Sequence, residues 1–289
     1  EEVCRQLLDR FGETADDGPN SVYAGGLWVR SSVDLELQDA ARTALRRGMQ
    51  RYHGSRGWSG PVATLDPDNG DLTSQLASAN IGINYDDWRV AVFTGSGTIG
   101  FSDGETATLN GAPSSLRPGD VLAVRPSGNA WRVAVIPDAS GGIVVEDPQT
   151  GRILAMQGGW DSRLESFNRA TQAKRQPGST VKPFVYATGL DQGLTPASQV
   201  DNSSFCAYQG ARYGRKCIRG GRAGTYTLRY GLENSQNVMT ANIANEAGMA
   251  NVIKTYERVG IGSYDPYISF ALGAGETTVE KMTNAFSTL

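Results

Sequence analysis

Between Trp58 and Pro137 the chain breaks into short alternating apolar runs set off by Gly, Asn, Asp and Pro. This interruption between two helix-bearing segments limits the possible folds more than any other feature. The runs are Arg89–Phe93, Gly97–Phe101, Glu105–Leu109, Asp120–Arg125 and Trp131–Ile136. Alternation of period two, recurring at this spacing, predicts a small all-β barrel or sandwich. Glycine supplies 36 of 289 residues and proline another 12, too many breakers for a helical bundle. Upstream, Val22–Val33 alternates as a strand, and Asp34 caps a helix from Leu35 to about Tyr52. The apolar positions of that helix, Leu37, Ala41, Ala44, Leu45 and Met49, recur at helical spacing. Downstream, Ile143–Glu146 and Ile153–Met156 flank the turn Asp147–Gly151, which predicts a hairpin. Helical segments follow at Thr180–Leu190, Leu228–Ser235, Val238–Ala247, Ala250–Val259 and Thr278–Leu289, the last behind the capping pattern Glu276–Glu280. The chain therefore reads as α+β in three pieces. Residues 1–57 form a linker with the first strand and helix, 58–137 an all-β insertion, and 138–289 the resumed α+β domain.

Charge and rare residues exclude several classes of function. Lys and Arg number 27 against 30 Asp and Glu, a net charge of −3, so the chain lacks the electrostatic footprint of a nucleic-acid binder. It has no run of eighteen apolar residues to span a membrane, and no leader at Glu1, so any signal or anchor is expected outside it. Three cysteines are too few for a disulfide framework; Cys206 and Cys217 suit a single disulfide or two free thiols equally. With one histidine and no C-x-x-C, neither a metal site nor a cofactor is expected. A Ser-His-Asp scheme would need His53, which sits in a polar turn and reads as a solvated loop residue. Gly95-Ser-Gly97-Thr-Ile-Gly100 matches G-x-G-x-x-G, but the residues after it alternate as a strand and not a helix, so it reads as a hairpin turn.

One constellation points to chemistry. Ser179-Thr180-Val181-Lys182 follows Gln176-Pro177-Gly178 and precedes Pro183-Phe184. Gly178 permits a sharp entry, and Pro183 is tolerated only in a first helical turn, which places Ser179 at a helix N-terminus. Residues three apart share a helix face, so the Lys182 amine is directed towards the Ser179 hydroxyl. A buried lysine gives up its charge readily and serves as a base where no histidine is present. The helix N-terminus adds a backbone N–H and a positive dipole for an oxyanion. Of four S-x-N triplets, only Ser235-Gln236-Asn237 falls between two predicted helices downstream, where a second hydroxyl and a carboxamide meet the first serine.

The segments Asp147–Gly159 and Phe167–Phe184, with Thr195-Pro-Ala-Ser, Glu233-Asn-Ser-Gln-Asn-Val and Ala271–Met282, resemble the class A penicillin-binding proteins, in texture the 1A type of Gram-negative bacteria. The resemblance implies a penicillin-binding/serine β-lactamase-like transpeptidase domain interrupted by an OB-like β domain. Ser179 matches the acylated nucleophile, Lys182 its general base, Ser235 the proton-relay hydroxyl and Asn237 the amide that positions the substrate's acyl side chain. Implied partners are peptidoglycan stem peptides and lipid II-derived glycan, with β-lactams as covalent inhibitors. The implied location is the periplasmic face of the inner membrane, with the anchor and a glycosyltransferase domain upstream. The family's Lys-Thr-Gly or Lys-Ser-Gly does not occur here; Lys254-Thr255 is followed by Tyr256 in a predicted helix. That strand is expected beyond Leu289, so the domain is read as incomplete. A serine β-lactamase or D,D-carboxypeptidase would share these motifs. A different class of role, docking of an envelope activator or of glycan, attaches to the β insertion.

Overall fold

The structure, a computed structural model, describes residues 2–208 and 214–289. Its contacts divide the chain into two compact units, Glu1–Val145 with Ile153–Ala170, and Glu146–Arg152 with Thr171–Leu289.

The first unit begins with helix α1 (Glu2–Phe11), then α2 (Leu35–His53), which Asp34 caps by accepting from Leu37 N at 3.0 Å. Strand β1 (Ala63–Thr64) and helix α3 (Leu72–Ala79) precede β2 (Arg89–Gly95), β3 (Thr98–Phe101), β4 (Thr106–Asn110), β5 (Asp120–Ser127) and β6 (Ala130–Val133). β2 pairs with β3, β3 with β4, β4 with β6, β6 with β5, and β5 with β2, so five strands close a ring. Every pairing in the ring is antiparallel except β4 with β6. The ring's interior is filled by Ala91, Phe93, Ile99, Phe101, Leu109, Leu122 and Val124. The Gly95–Gly100 segment is the β2–β3 turn, with Ser96 at φ 50° and Gly97 at φ 74°, as a tight hairpin requires.

Three sequence expectations need correction in this unit. The insertion is not all-β: α3 lies inside it, capped by Asp71, which accepts from Ser74 N at 2.8 Å. The reason lies in β2 and β5, which are apolar on both faces. Val92 and Val121 point away from the ring interior and are covered by Leu76 of α3. Val22–Val33 is not a ladder strand. Its first residues form a turn, and the remainder is extended, joined to the next hairpin only at its end, where Asp34 N donates to Leu154 O at 2.9 Å and Ser32 Oγ to Ile153 O at 2.7 Å. Alternation alone does not make a strand without a neighbouring edge, and Trp28 is left 85% exposed. His53 is not a solvated loop residue. It ends α2, is buried, and its ring Nε2 lies 2.7 Å from the Gly57 carbonyl, which it holds over the helix end.

The hairpin of β7 (Ile143–Glu146) and β8 (Ile153–Gln157) forms as expected. Gln38 of α2 pairs with the Met156 backbone of β8 in both directions: its Nε2 donates to Met156 O at 3.0 Å, and its Oε1 accepts from Met156 N at 2.9 Å. Arg46 of α2 is buried between the rings of Tyr85 and Trp160. Its guanidinium donates to Trp160 O, Asn84 O and Asp161 Oδ2 at 2.8, 2.8 and 3.1 Å. A buried cation is tolerated only with such pairing, and the five N–H groups of arginine suit several acceptors at once.

The second unit carries the candidate site. A single 3₁₀ turn, Gly178–Val181, runs into α4 (Lys182–Asp191). Next come β9 (Gln199–Asp201), β10 (Phe205–Tyr208), β11 (Arg215–Ile218), β12 (Thr225–Thr227), α5 (Leu228–Glu233), α6 (Asn237–Ala247), α7 (Met249–Arg258) and α8 (Val279–Phe286). α4 and α6 share the core: Phe184, Val185 and Tyr186 meet Val238, Met239, Ala241 and Ile243, with Val252, Ile253 and Tyr256 of α7 behind. Burying each large side chain contributes about 1.5–3 kcal/mol, which fixes the two helices against each other. β10 and β11 form a hairpin in which Cys206 lies opposite Cys217, and the two are disulfide-bonded, so the free-thiol alternative is set aside. Residues 209–213 of that glycine- and arginine-rich segment lie outside the described residues. Lys254-Thr255 is inside α7, as expected. Among the described residues, no helix is long and apolar enough to cross a membrane.

Candidate active site

Gly178 adopts φ 56°, a left-handed conformation that glycine reaches without steric cost, and it turns the chain into the 3₁₀ segment. Ser179 follows on this turn and is exposed. Lys182 opens α4 and is only 1% exposed, with Pro183 behind it in the first helical turn, where its missing N–H has no cost. The Lys182 Nζ donates to Ser235 O at 2.6 Å, Ser235 Oγ at 3.0 Å and Asn237 Oδ1 at 2.6 Å. Burial pushes the Lys182 amine below the ordinary lysine value of 10.5. Of the four residues singled out in the sequence, the structure therefore joins Lys182, Ser235 and Asn237 directly and sets Ser179 on the preceding turn, open to solvent.

The α5–α6 connection presents Ser235 and Asn237 through an unusual backbone. Ser235 has φ 50°, in the left-handed region that costs a non-glycine residue about 1–3 kcal/mol and is tolerated only where surrounding contacts impose it. Ser235 N donates to Leu232 O at 3.0 Å and Gln236 N to Gly231 O at 2.9 Å, which closes the end of α5. Asn237 then begins α6, so its side chain projects from a helix anchored in the core.

Further residues that the sequence reading missed support the Ser179 turn. Gly178 N donates to Gly273 O at 3.2 Å, and Arg175 pairs with Thr277 as an isolated antiparallel bridge. The segment after α7 is thus zipped along the approach to Ser179. A Cβ on Gly273, itself at φ 80°, would lie 2.1 Å from the Gly178 carbonyl oxygen, whereas a Cβ on Gly178 meets open space. Gly273→Ala should therefore destabilise the protein by about 2–5 kcal/mol, combining the left-handed penalty with overpacking against backbone. Gly178→Ala should cost only the first part, about 1–2 kcal/mol. Urea midpoints of the two variants check this; equal losses would contradict the close approach. The glycines were visible in Ala271-Leu-Gly-Ala-Gly275, but nothing local distinguishes the one that must accept another backbone.

The site's geometry is thus a buried lysine amine held by a hydroxyl and a carboxamide, in the turn after an exposed serine. Residues 141–282, just under half of the chain, match the penicillin binding protein transpeptidase domain. Penicillin-binding protein 1A of Rickettsia felis is 31% identical over 308 residues, covering 99% of this chain. That of Neisseria cinerea is 29% identical over 315 residues, again covering 99%. The chain spans 38% of the length of the first of these relatives and 39% of the second. Among solved structures, penicillin-binding protein 1A from Haemophilus influenzae superposes with a TM-score of 0.72 at 24% identity, covering 99% of this chain and 45% of that one. PonA1 from Mycobacterium tuberculosis superposes at 0.55 and 21% identity, covering 99% and 54%. These likenesses show a shared fold.

Proposed function

We propose that this chain carries the peptidoglycan D,D-transpeptidase centre of a bifunctional cell-wall synthase. The observation that carries the reading is the Lys182 amine, buried and bonded to both Ser235 and Asn237, in the helix that follows the turn bearing the exposed Ser179. In the proposed reaction, Ser179 Oγ attacks the carbonyl of the penultimate D-Ala of a stem peptide. Its proton passes to the neutral Lys182 amine, and a tetrahedral oxyanion forms near the Ser179 backbone N–H at the helix start. As the peptide C–N bond breaks, the proton is returned through the Ser235 hydroxyl to the leaving D-Ala amine. An amine from a neighbouring stem peptide then attacks the ester, forms the cross-link and restores the serine hydroxyl. Asn237 offers its amide to the substrate's acyl side chain. No step needs a metal or cofactor. In the family's pattern, a second oxyanion donor and the carboxylate contact come from a Lys-Thr-Gly or Lys-Ser-Gly strand, a tripeptide that these 289 residues do not contain.

Penicillins enter the same scheme because the β-lactam carbonyl takes the place of the D-Ala carbonyl and the opened ring stays attached. A PonA1 structure in complex with penicillin V supports this reading. The corresponding location is outside the cytoplasm, on the periplasmic face of the inner membrane. Glycosyl transfer on lipid II-derived glycan belongs to a part of the protein outside this chain, and an envelope activator is a candidate partner for the β ring. The test is the intact mass of the purified polypeptide after exposure to penicillin. A single adduct equal to one penicillin, mapped to the peptide bearing Ser179 and persisting for many minutes, is expected. An adduct on another residue would overturn the site, and rapid release with sustained hydrolysis of a chromogenic cephalosporin would favour a β-lactamase instead.

A further inference from the structure

Gln236 is the residue between the two that hold Lys182, and it caps α6 without a side-chain capping bond. Its side chain is used elsewhere. Gln236 Oε1 accepts from Asn202 Nδ2 at 2.9 Å, and the second proton of that amide goes to Arg222 O at 3.0 Å. Asn202 follows β9, is 1% exposed, and is fixed by its own backbone N, which donates to Gly224 O at 2.8 Å. Among the described residues its buried Oδ1 has no hydrogen-bond partner. The orientation is therefore dictated by the two acceptors: turning the amide over would set an oxygen against two oxygens. The packing leaves no slack on the third side. A Cβ on Gly221 would meet Gln236 Oε1 at 2.4 Å and Asn202 Nδ2 at 2.8 Å. Gln236 is tied from below as well, because its carbonyl accepts from Thr240 N and Thr240 Oγ1 at 3.0 and 2.8 Å.

We propose that Asn202 and Gln236 form a positioning clasp that holds the left-handed turn at Ser235, so that Ser235 and Asn237 meet Lys182 in one geometry. Ser235 occupies a backbone region it would leave if free. The bonds of its own turn close α5, and the clasp adds the side-chain anchor that reaches β9 and the 221–224 loop. The side-chain hydrogen bonds of Asn202 and Gln236 run to each other, to Arg222 O and to Asn234 O, so both act through the turn. The β9 end and the Arg222 loop thereby become part of the machinery of a site whose residues lie both before and after them in sequence. The inference rests on the acylation chemistry proposed above.

The test is a double-mutant cycle on the intact polypeptide with a fluorescent penicillin: Asn202→Ala, Gln236→Ala and the double variant. Two quantities are read: the fraction of molecules that can be acylated, and the acylation rate constant of that fraction. Each single change should slow acylation about 10- to 100-fold, since small misplacement of a catalytic group has effects of this size. The double variant should be no slower than the slower single, because the two residues act as one unit. Gln236 is half-buried on the surface of the unit, so its alanine variant keeps the test valid if Asn202→Ala folds poorly. A purely structural role would lower the acylable fraction and the unfolding midpoint while leaving the rate constant at the wild-type value, and that result would overturn the proposal. Independent, multiplying losses would overturn it too. A wild type that takes no adduct at Ser179 would overturn the functional reading itself and the clasp with it. Normal acylation in both wild type and variants would remove the clasp alone.

Discussion

Ser179→Ala should abolish labelling by a fluorescent penicillin, with a fall in acylation of at least about 10⁴-fold, the scale on which loss of a catalytic nucleophile is felt. The expectation rests on placement. Ser179 is exposed at the start of a helix whose next turn brings the buried Lys182 into contact with Ser235 and Asn237. Folding should be untouched, because an exposed hydroxyl at this position contributes little to the core. The unfolding midpoint of the variant should therefore match the wild type within about 0.5 kcal/mol. Labelling that persists in the variant would refute the nucleophile assignment, since no other serine in the chain has a lysine three residues on.

Lys182→Arg should be nearly as damaging as Lys182→Ala, each slowing acylation by about 10²–10⁴-fold, the usual contribution of a positioned general base. An arginine is positively charged and could still donate to Ser235 and Asn237, but its guanidinium does not release a proton under working conditions. Rapid acylation by the arginine variant would show that Lys182 works as a fixed charge and not as a base. The pH dependence gives a second reading. In the proposed scheme the neutral amine is the reactive form, and burial lowers its pKa below 10.5, so acylation should rise with pH and reach its plateau below that value. Stability should follow the same sign. The unfolded chain holds the lysine proton more tightly, so the cost of the buried ammonium is full below the lowered pKa and fades as pH climbs towards 10.5. Lys182→Met should flatten that slope in urea titrations run across the alkaline range.

These two effects interact with the clasp in a defined way. With Lys182 replaced by alanine, the geometry of Ser235 no longer matters for proton transfer, so adding Gln236→Ala should cost much less than it does in the wild type. An undiminished effect would mean that the turn serves substrate binding instead of the lysine.

What could be read locally was read correctly. Asp34 ahead of a periodic apolar run became the α2 cap, Gly95–Gly97 became a hairpin turn, and the spacing of Ser179, Lys182 and Pro183 became a helix start. Each depends on residues within one turn of one another, where backbone sterics and capping bonds act without help from the rest of the chain. The failures share the opposite property. Among the described residues Val22–Val33 alternates but has no ladder partner along its length, and α3 exists because β2 and β5 have two apolar faces; His53 is the exception, since the Gly57 carbonyl it meets is only four residues on. The two-faced apolarity of Val90-Ala-Val-Phe93 was visible and was the available signal that something had to cover it.

The sequence by itself placed the proposed nucleophile Ser179 and the proposed base Lys182 three residues apart at a helix start, and offered a hydroxyl and a carboxamide as their helpers. It did not determine that Lys182 loses its water, that its amine reaches Asn237 across a separation of 55 residues, that Cys206 meets Cys217, or that Asn202 reaches Gln236 across 34. Those follow from the packing of α4 against α6 and from the approach of β9 to the α5–α6 turn. Distance and desolvation are properties of the assembled core, and they decide whether a serine and a lysine become a catalytic pair.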